Sequence, residues 1–197
     1  MALPFDWHEA RSSYNDPEKN DPEKREISTV FHTAQLPFYQ SIELVRMPKP
    51  AGLEGTDDLF DYYLGYNDER QLVRLDGSSS VIHDANEYEN VRLTPETASV
   101  YLPFFCYFIH SDQGNFYVLD GKNDPRMEQL RPMMDPDVIK KIAPPTLIRE
   151  DEAGYYLFSA YTLYGTILAK TEYLVHPQGF VEMGDDDPVW QMPAPGV

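Results

Sequence analysis

The chain has 197 residues, 42% hydrophobic and 13% aromatic, and carries 33 acidic against 16 basic side chains, a formal net charge of −17. That apolar content supports a packed core, read as a single domain over 1–197, and excludes a disordered chain. The acidic excess repels nucleic acid and anionic membrane surfaces, so neither is an expected partner. The single cysteine cannot form an internal disulfide. The first ten residues lack the basic start and apolar centre of a secretory signal, and no run approaches the roughly 20 apolar residues of a membrane span. A cytoplasmic location is therefore expected.

Residues 1–20 read as an N-terminal arm. The pentapeptide NDPEK occurs at 15–19 and again at 20–24. In the second copy Asp21 is a helix cap and Pro22 a first helical residue. Ile27, Val30, Phe31 and Ala34 then follow at the spacing of one buried stripe, which predicts a helix over 21–35. Residues 38–47 fit the strand and helix periods equally, and 48–56 is a connector. Residues 61–66 and 71–75 read as a hairpin around Asn67-Asp68-Glu69-Arg70, with a short helix from Thr56 to Gly65 as the competing reading. Asp76-Gly77 offers a tight turn into a strand over 80–83, and the polar run 84–90 reads as loop.

Thr94-Pro95 predicts a short helix over 95–102 that delivers the chain to a buried strand over 104–110. A turn at 111–115 leads to a partner strand over 116–119. Small helices are expected near 125–130 and 136–142, and a strand near 146–149. The clearest signal is an antiparallel meander over 154–183, with strands at 155–163 and 166–175 folded back at Gly165. With the tip at Tyr164 and Gly165, Thr162 faces Ile167, Ala160 faces Ala169, Phe158 faces Thr171 and Tyr156 faces Tyr173. The opposite face carries Tyr155, Leu157, Tyr161, Leu163, Leu168 and Leu174. It is too apolar to stay wet, so another element of the chain or a second copy, in a homodimer, is expected to cover it. Residues 184–197, with three consecutive Asp and three Pro, read as an acidic Pro-rich tail.

Helices segregated from a mostly antiparallel sheet make an α+β domain. The helix over 21–35, the segment YLPFFCYFIHSDQGNFYVLD at 101–120 and the segment AYTLYGTILAKTEYLVHPQGFVEM at 160–183 together resemble the cystatin-like α+β rolls of the NTF2-like superfamily. The resemblance implies a strongly curved sheet packed on the N-terminal helix, and residues 48–93 depart from that simple roll. Such rolls serve as enzymes, ligand binders and protein-interaction modules, so the likeness does not choose among them.

The five His are scattered, none at the helical spacing of a metal pair, and the lone Cys offers no paired-cysteine site. His83, Asp84 and Glu87 form the one local group of possible ligands, and no metal or other cofactor is expected. Cys106 lies within PFFCYF, where burial would raise its pKa and leave it inert. Serine-hydrolase elbows and phosphate-binding Gly loops are absent. The candidate catalytic residues are His110, at a predicted strand end, with Asp112 and Asp120 as carboxylates to orient it or act as bases. Tyr161, Tyr164 and Tyr173 are the candidate ligand-binding hydroxyls. The leading expectation is a non-catalytic domain binding a small ligand or a protein. A cofactor-free proton-transfer or hydration enzyme and an acidic chaperone-like or mimic protein for a basic partner are the alternatives.

Overall fold

Side chains that alternate across a strand, on a chain that turns back at short polar links, build two antiparallel sheets, and a few helices complete an α+β protein. The structure, a computed structural model, describes residues 5–10, 31–49, 60–111 and 114–193. They divide into two compact units, one from 1–76 with 80–89 and one from 77–79 with 90–197. No helix among the described residues is long and apolar enough to cross a membrane.

In the first unit, β1 (His8–Ala10), β2 (Phe31–Gln35), β3 (Ile42–Pro48), β4 (Phe60–Tyr66) and β5 (Gln71–Arg74) lie side by side in chain order. The expected hairpin of β4 and β5 forms around 67–70, and the ambiguous 38–47 region resolves as a turn followed by β3. The helix expected over 21–35 is corrected for its last part. Phe31–Gln35 is a strand, and 21–30 lie outside the described residues. Phe31 and Ala34 are both buried, but on opposite faces of a sheet covered on both sides. Burial on two faces imitates the helical spacing that the sequence displays. Phe31, Val45 and Leu72 pack together on one face, while Ala34, Ile42, Leu44 and Leu64 are sealed on the other.

A second correction concerns 80–90. Ser79–Tyr88 is helix α1, not a strand and loop, and it buries Ile82, Ala85 and Asn86 along one stripe. The stripe was hidden because one of its three members is polar. Asn86 is satisfied by the Tyr39 hydroxyl, which donates to its Oδ1 at 2.8 Å.

In the second unit, α2 (Pro95–Phe108) replaces the short helix and strand expected over 95–110. Its start is as the sequence predicts. The Thr94 side chain accepts from the Thr97 amide, the Thr97 hydroxyl accepts from the Thr94 amide, and Pro95 opens the first turn. Its continuation was obscured by Pro103 and by burial all round, which removes the periodicity that separates a helix from a buried strand.

Strands β6 (His110–Ser111) and β7 (Gly114–Val118) pair, and β7 continues the sheet through β9 (Tyr156–Tyr164), β10 (Ile167–Val175) and β11 (Val181–Gln191). Strand β8 (Thr146–Glu150) also pairs with β9. The small helices α3 (Met127–Leu130) and α4 (Pro136–Ile139) flank a 3-10 turn at Arg131–Met133. The meander is present, with its register two residues from expectation. Thr162 faces Ala169, Ala160 faces Thr171, Phe158 faces Tyr173 and Tyr156 faces Val175. The true tip is Gly165-Thr166, where Gly165 takes φ +53°. A shift of two preserves every side chain's face, so the expected core face is the buried one.

The opposite face is covered within the chain at one end. Leu168 is fully buried with Leu119, Met127, Leu130, Met134 and Ile142, and Tyr161 and Leu163 pack against them. The acidic tail is also corrected, since 184–191 belong to β11 and pair with β10.

Candidate functional site

Cross-strand neighbours on one face of an antiparallel sheet stand about 5 Å apart, so a row of opposed residues brings distant parts of the chain together. In the first unit Glu9 faces His32, His32 faces Arg46, and Arg46 faces Tyr62. This polar row crosses β1, β2, β3 and β4, beside the sealed apolar row of Ala34, Leu44 and Leu64. The alternation within IELVRMP places Arg46 on the same face as Ile42 and Leu44.

Aromatic rings surround the guanidinium. Its central carbon lies 4.2 Å from the ring centroid of Trp7 and 4.7 Å from that of Phe60. Trp7 immediately precedes β1 and Phe60 opens β4, so the rings arrive from strands on either side of β3. The Trp7 and Tyr62 rings are 6.3 Å apart and tilted by 52°. Such stacking stabilises a guanidinium by roughly 1 kcal/mol per ring and more when water is excluded.

The row leaves two buried nitrogens unpaired. Arg46 Nε and His32 Nδ1 are buried atoms without a hydrogen-bond partner, and Arg46 makes no ion pair among the described residues. Buried polar atoms are nearly always paired in native proteins, so two unpaired on neighbouring strands form a point of unmet demand. Arg46 is itself only partly exposed, as are Trp7, His32 and Phe60, so the row lies at the lip of the core.

The residues singled out from sequence are placed elsewhere. His110 is exposed. Its amide donates to the Gly77 carbonyl at 3.0 Å, and its Nδ1 lies 2.6 Å from where a Cβ on Gly77 would stand. Gly77 takes φ +96°, so glycine is needed there both for the backbone and for the imidazole. Asp112 lies outside the described residues. Asp120 is exposed beyond the end of β7, roughly 16 Å at strand rise from Asn115, the residue opposite His110. His110 and Asp120 are therefore not brought together.

The three tyrosines also separate. Tyr173 is buried and shares a 2.9 Å hydrogen bond with Thr162 Oγ1; burial and the adjoining Cys106 push its phenol well above the ordinary value. Tyr164 donates to the Asp186 carboxylate, and that bond, with partial burial, pushes its pKa up to about 12. Tyr161 lies on the opposite face of β9, packed against the Leu168 cluster. Cys106 is buried, and desolvation pushes its thiol up to about 12. His83 and Glu87 stand one turn apart on α1, and no group of three or more His, Cys, Asp or Glu suited to a metal forms among the described residues.

Two polar features escaped the sequence reading. Asp124 is buried and accepts from Arg126 Nε at 2.8 Å and Nη2 at 2.9 Å, from the Arg126 amide and from the Asp120 amide. Every lone pair direction is used, so this pair organises its own loop. The Arg46 row is the other. It was missed because its members come from four strands, a pairing that leaves no local signal in the sequence.

No protein-family model matches the chain, and neither a curated protein nor a solved structure matches it.

Proposed function

We propose that this chain is a non-catalytic binding domain that takes an anionic group of a small ligand at the Arg46 row. One observation carries the reading: in a chain with a net charge of −17, a guanidinium bracketed by Trp7 and Phe60 has no acidic partner among the described residues. His32 next to it adds an imidazole, and partial burial of the row strengthens each charge-assisted hydrogen bond.

The roll reading survives in altered form as a proposal for the second unit. There α2 takes the place expected for a helix at 21–35, with Tyr101 donating to the Gly179 carbonyl at 2.7 Å and the rings of Tyr107 and Tyr117 in contact. The binding reading does not depend on it.

The test is a heteronuclear NMR titration with acetate and with inorganic phosphate at fixed ionic strength. The indole N–H resonance of Trp7 is expected to shift saturably with one anion or both, while that of Trp190, in the second unit, stays in place. The shift is lost in Arg46→Met. Equal drift of both indoles, or a saturable Trp7 shift retained in Arg46→Met, would end the reading.

A further inference from the structure

We propose that the outer face of α1 around Tyr88 docks a basic, arginine-bearing segment of a partner protein, with a guanidinium seated against the Tyr88 ring. Tyr88 is the one large apolar side chain of the first unit that is exposed among the described residues, at 46%. Its ring meets that of Tyr66, which is buried on β4, with centroids 5.0 Å apart and planes at 84°. Edge-to-face contact with a buried neighbour holds the exposed ring in place, so a partner would meet it already ordered.

Carboxylates stand around the pair. Asp84 lies four residues before Tyr88, one turn back on the same face of the helix, and Glu87 is exposed beside it. Asp68 and Glu69 come from the turn between β4 and β5, and Glu89 follows the helix. Both phenols register these charges. Burial, then the charges of Asp84, Glu69 and Glu89, push Tyr66 up to about 12, and desolvation, then Glu69, Asp68 and Glu89, raise Tyr88. A field that resists a phenolate attracts a cation for the same reason.

Asp68, Glu69, Asp84 and Glu87 make no ion pair among the described residues, and neither does Arg70, the cation of the same turn. Negative charge therefore stands uncompensated beside an exposed ring. A guanidinium suits that combination better than an ammonium, since it is planar and less strongly hydrated, and it can stack on a ring while its N–H groups reach carboxylates. This face is separate from the Arg46 row. Tyr66 lies four residues beyond Tyr62 along β4, roughly 13 Å at strand rise, so either site can fail without the other.

The acidic run Asp185, Asp186 and Asp187 on β11 supplies an internal control for attraction by charge alone. Heteronuclear NMR of the full chain is followed during titration with a capped Gly-Arg-Gly-Arg-Gly peptide, its lysine counterpart and the dication putrescine, at matched ionic strength. The arginine peptide is expected to shift the amides of 67–69 and 84–89 saturably, about threefold more tightly than the lysine peptide. The amides of 185–187 should move weakly and without saturation. Tyr88→Ala should weaken the arginine peptide about fivefold, and Tyr88→Phe should keep the parent affinity, because the ring makes the contact. An equal response at 185–187, or putrescine matching the arginine peptide on α1, would reduce the face to diffuse attraction of cations and overturn the proposal. Equal affinity for the lysine peptide would overturn the choice of arginine. Binding unchanged in a folded Tyr88→Ala, or no saturable shift with either peptide, would overturn the docking face itself.

Discussion

Glu89 shows how one side chain can tie two pieces of the first unit together. Its carboxylate accepts from the Ser41 amide and hydroxyl, each at 2.7 Å, and from the Gln40 amide at 3.2 Å. Partial burial alone would raise its pKa, but these hydrogen bonds outweigh burial and hold it below the ordinary 4.5. A carboxylate whose folded pKa is depressed stabilises the protein above its unfolded pKa, and that contribution is lost as the pH falls through the folded value. Glu89→Gln is therefore expected to cost roughly 1–2 kcal/mol at pH 7. The difference from the parent should shrink as the pH is lowered from about 5 to 3. Urea unfolding at several pH values measures it, and a difference independent of pH would mean that the hydrogen bonds do not favour the ionised form. Arg46 is the contrasting case. Its partners among the described residues are rings rather than acids and its buried Nε has no hydrogen-bond partner, whereas the fork of Arg126 is consumed by Asp124.

At the scale of elements, the second unit buries its sheet from both sides, but with different devices. Helix α2 supplies a continuous aromatic surface, and α3, α4 and the 3-10 turn supply a smaller cover over Leu168. Leu168→Glu is thus a folding lesion and not a probe of self-association, because the position is enclosed by the chain itself. Burying an unpaired carboxylate there is expected to cost at least roughly 4 kcal/mol. Loss of the cooperative unfolding transition in circular dichroism would mark it. A folded variant whose mass alone changed on a sizing column would instead show that a second copy covers this face. Strand β11 manages a different difficulty. It is the edge of its sheet, and Glu182, Asp185, Asp186, Asp187 and Pro188 are all exposed along it. Charges and a proline on an exposed edge discourage further strands from pairing. The same composition, read without its partner strand, has the look of a solvated tail, and that is why 184–191 could not be assigned from sequence.

For the molecule as a whole, the charge imbalance is the dominant global fact. Self-repulsion at −17 destabilises compact states, and dissolved salt screens it over a Debye length of about 10 Å at 0.1 M. Raising sodium chloride from about 0.05 to 0.5 M is expected to lift the thermal midpoint by roughly 2–4 °C, or about 1 kcal/mol for a chain of this size. A flat or falling midpoint would show that local pairing already neutralises the repulsion. Sequence by itself determined what depends on neighbours along the chain. The Thr94-Pro95 helix start, the hairpin around 67–70, the turn at Gly165 and the faces of β9 and β10 all follow from capping, turn chemistry and period-two alternation. Tertiary structure alone decided what depends on neighbours across it. Burial all round left the helix at 104–108 without a periodicity of its own, and burial on both faces gave the strand at 31–35 the spacing of a helix. The pairing of β1, β2, β3 and β4 placed Glu9, His32, Arg46 and Tyr62 in one row, since strand register joins residues whose separation along the chain leaves no local signal.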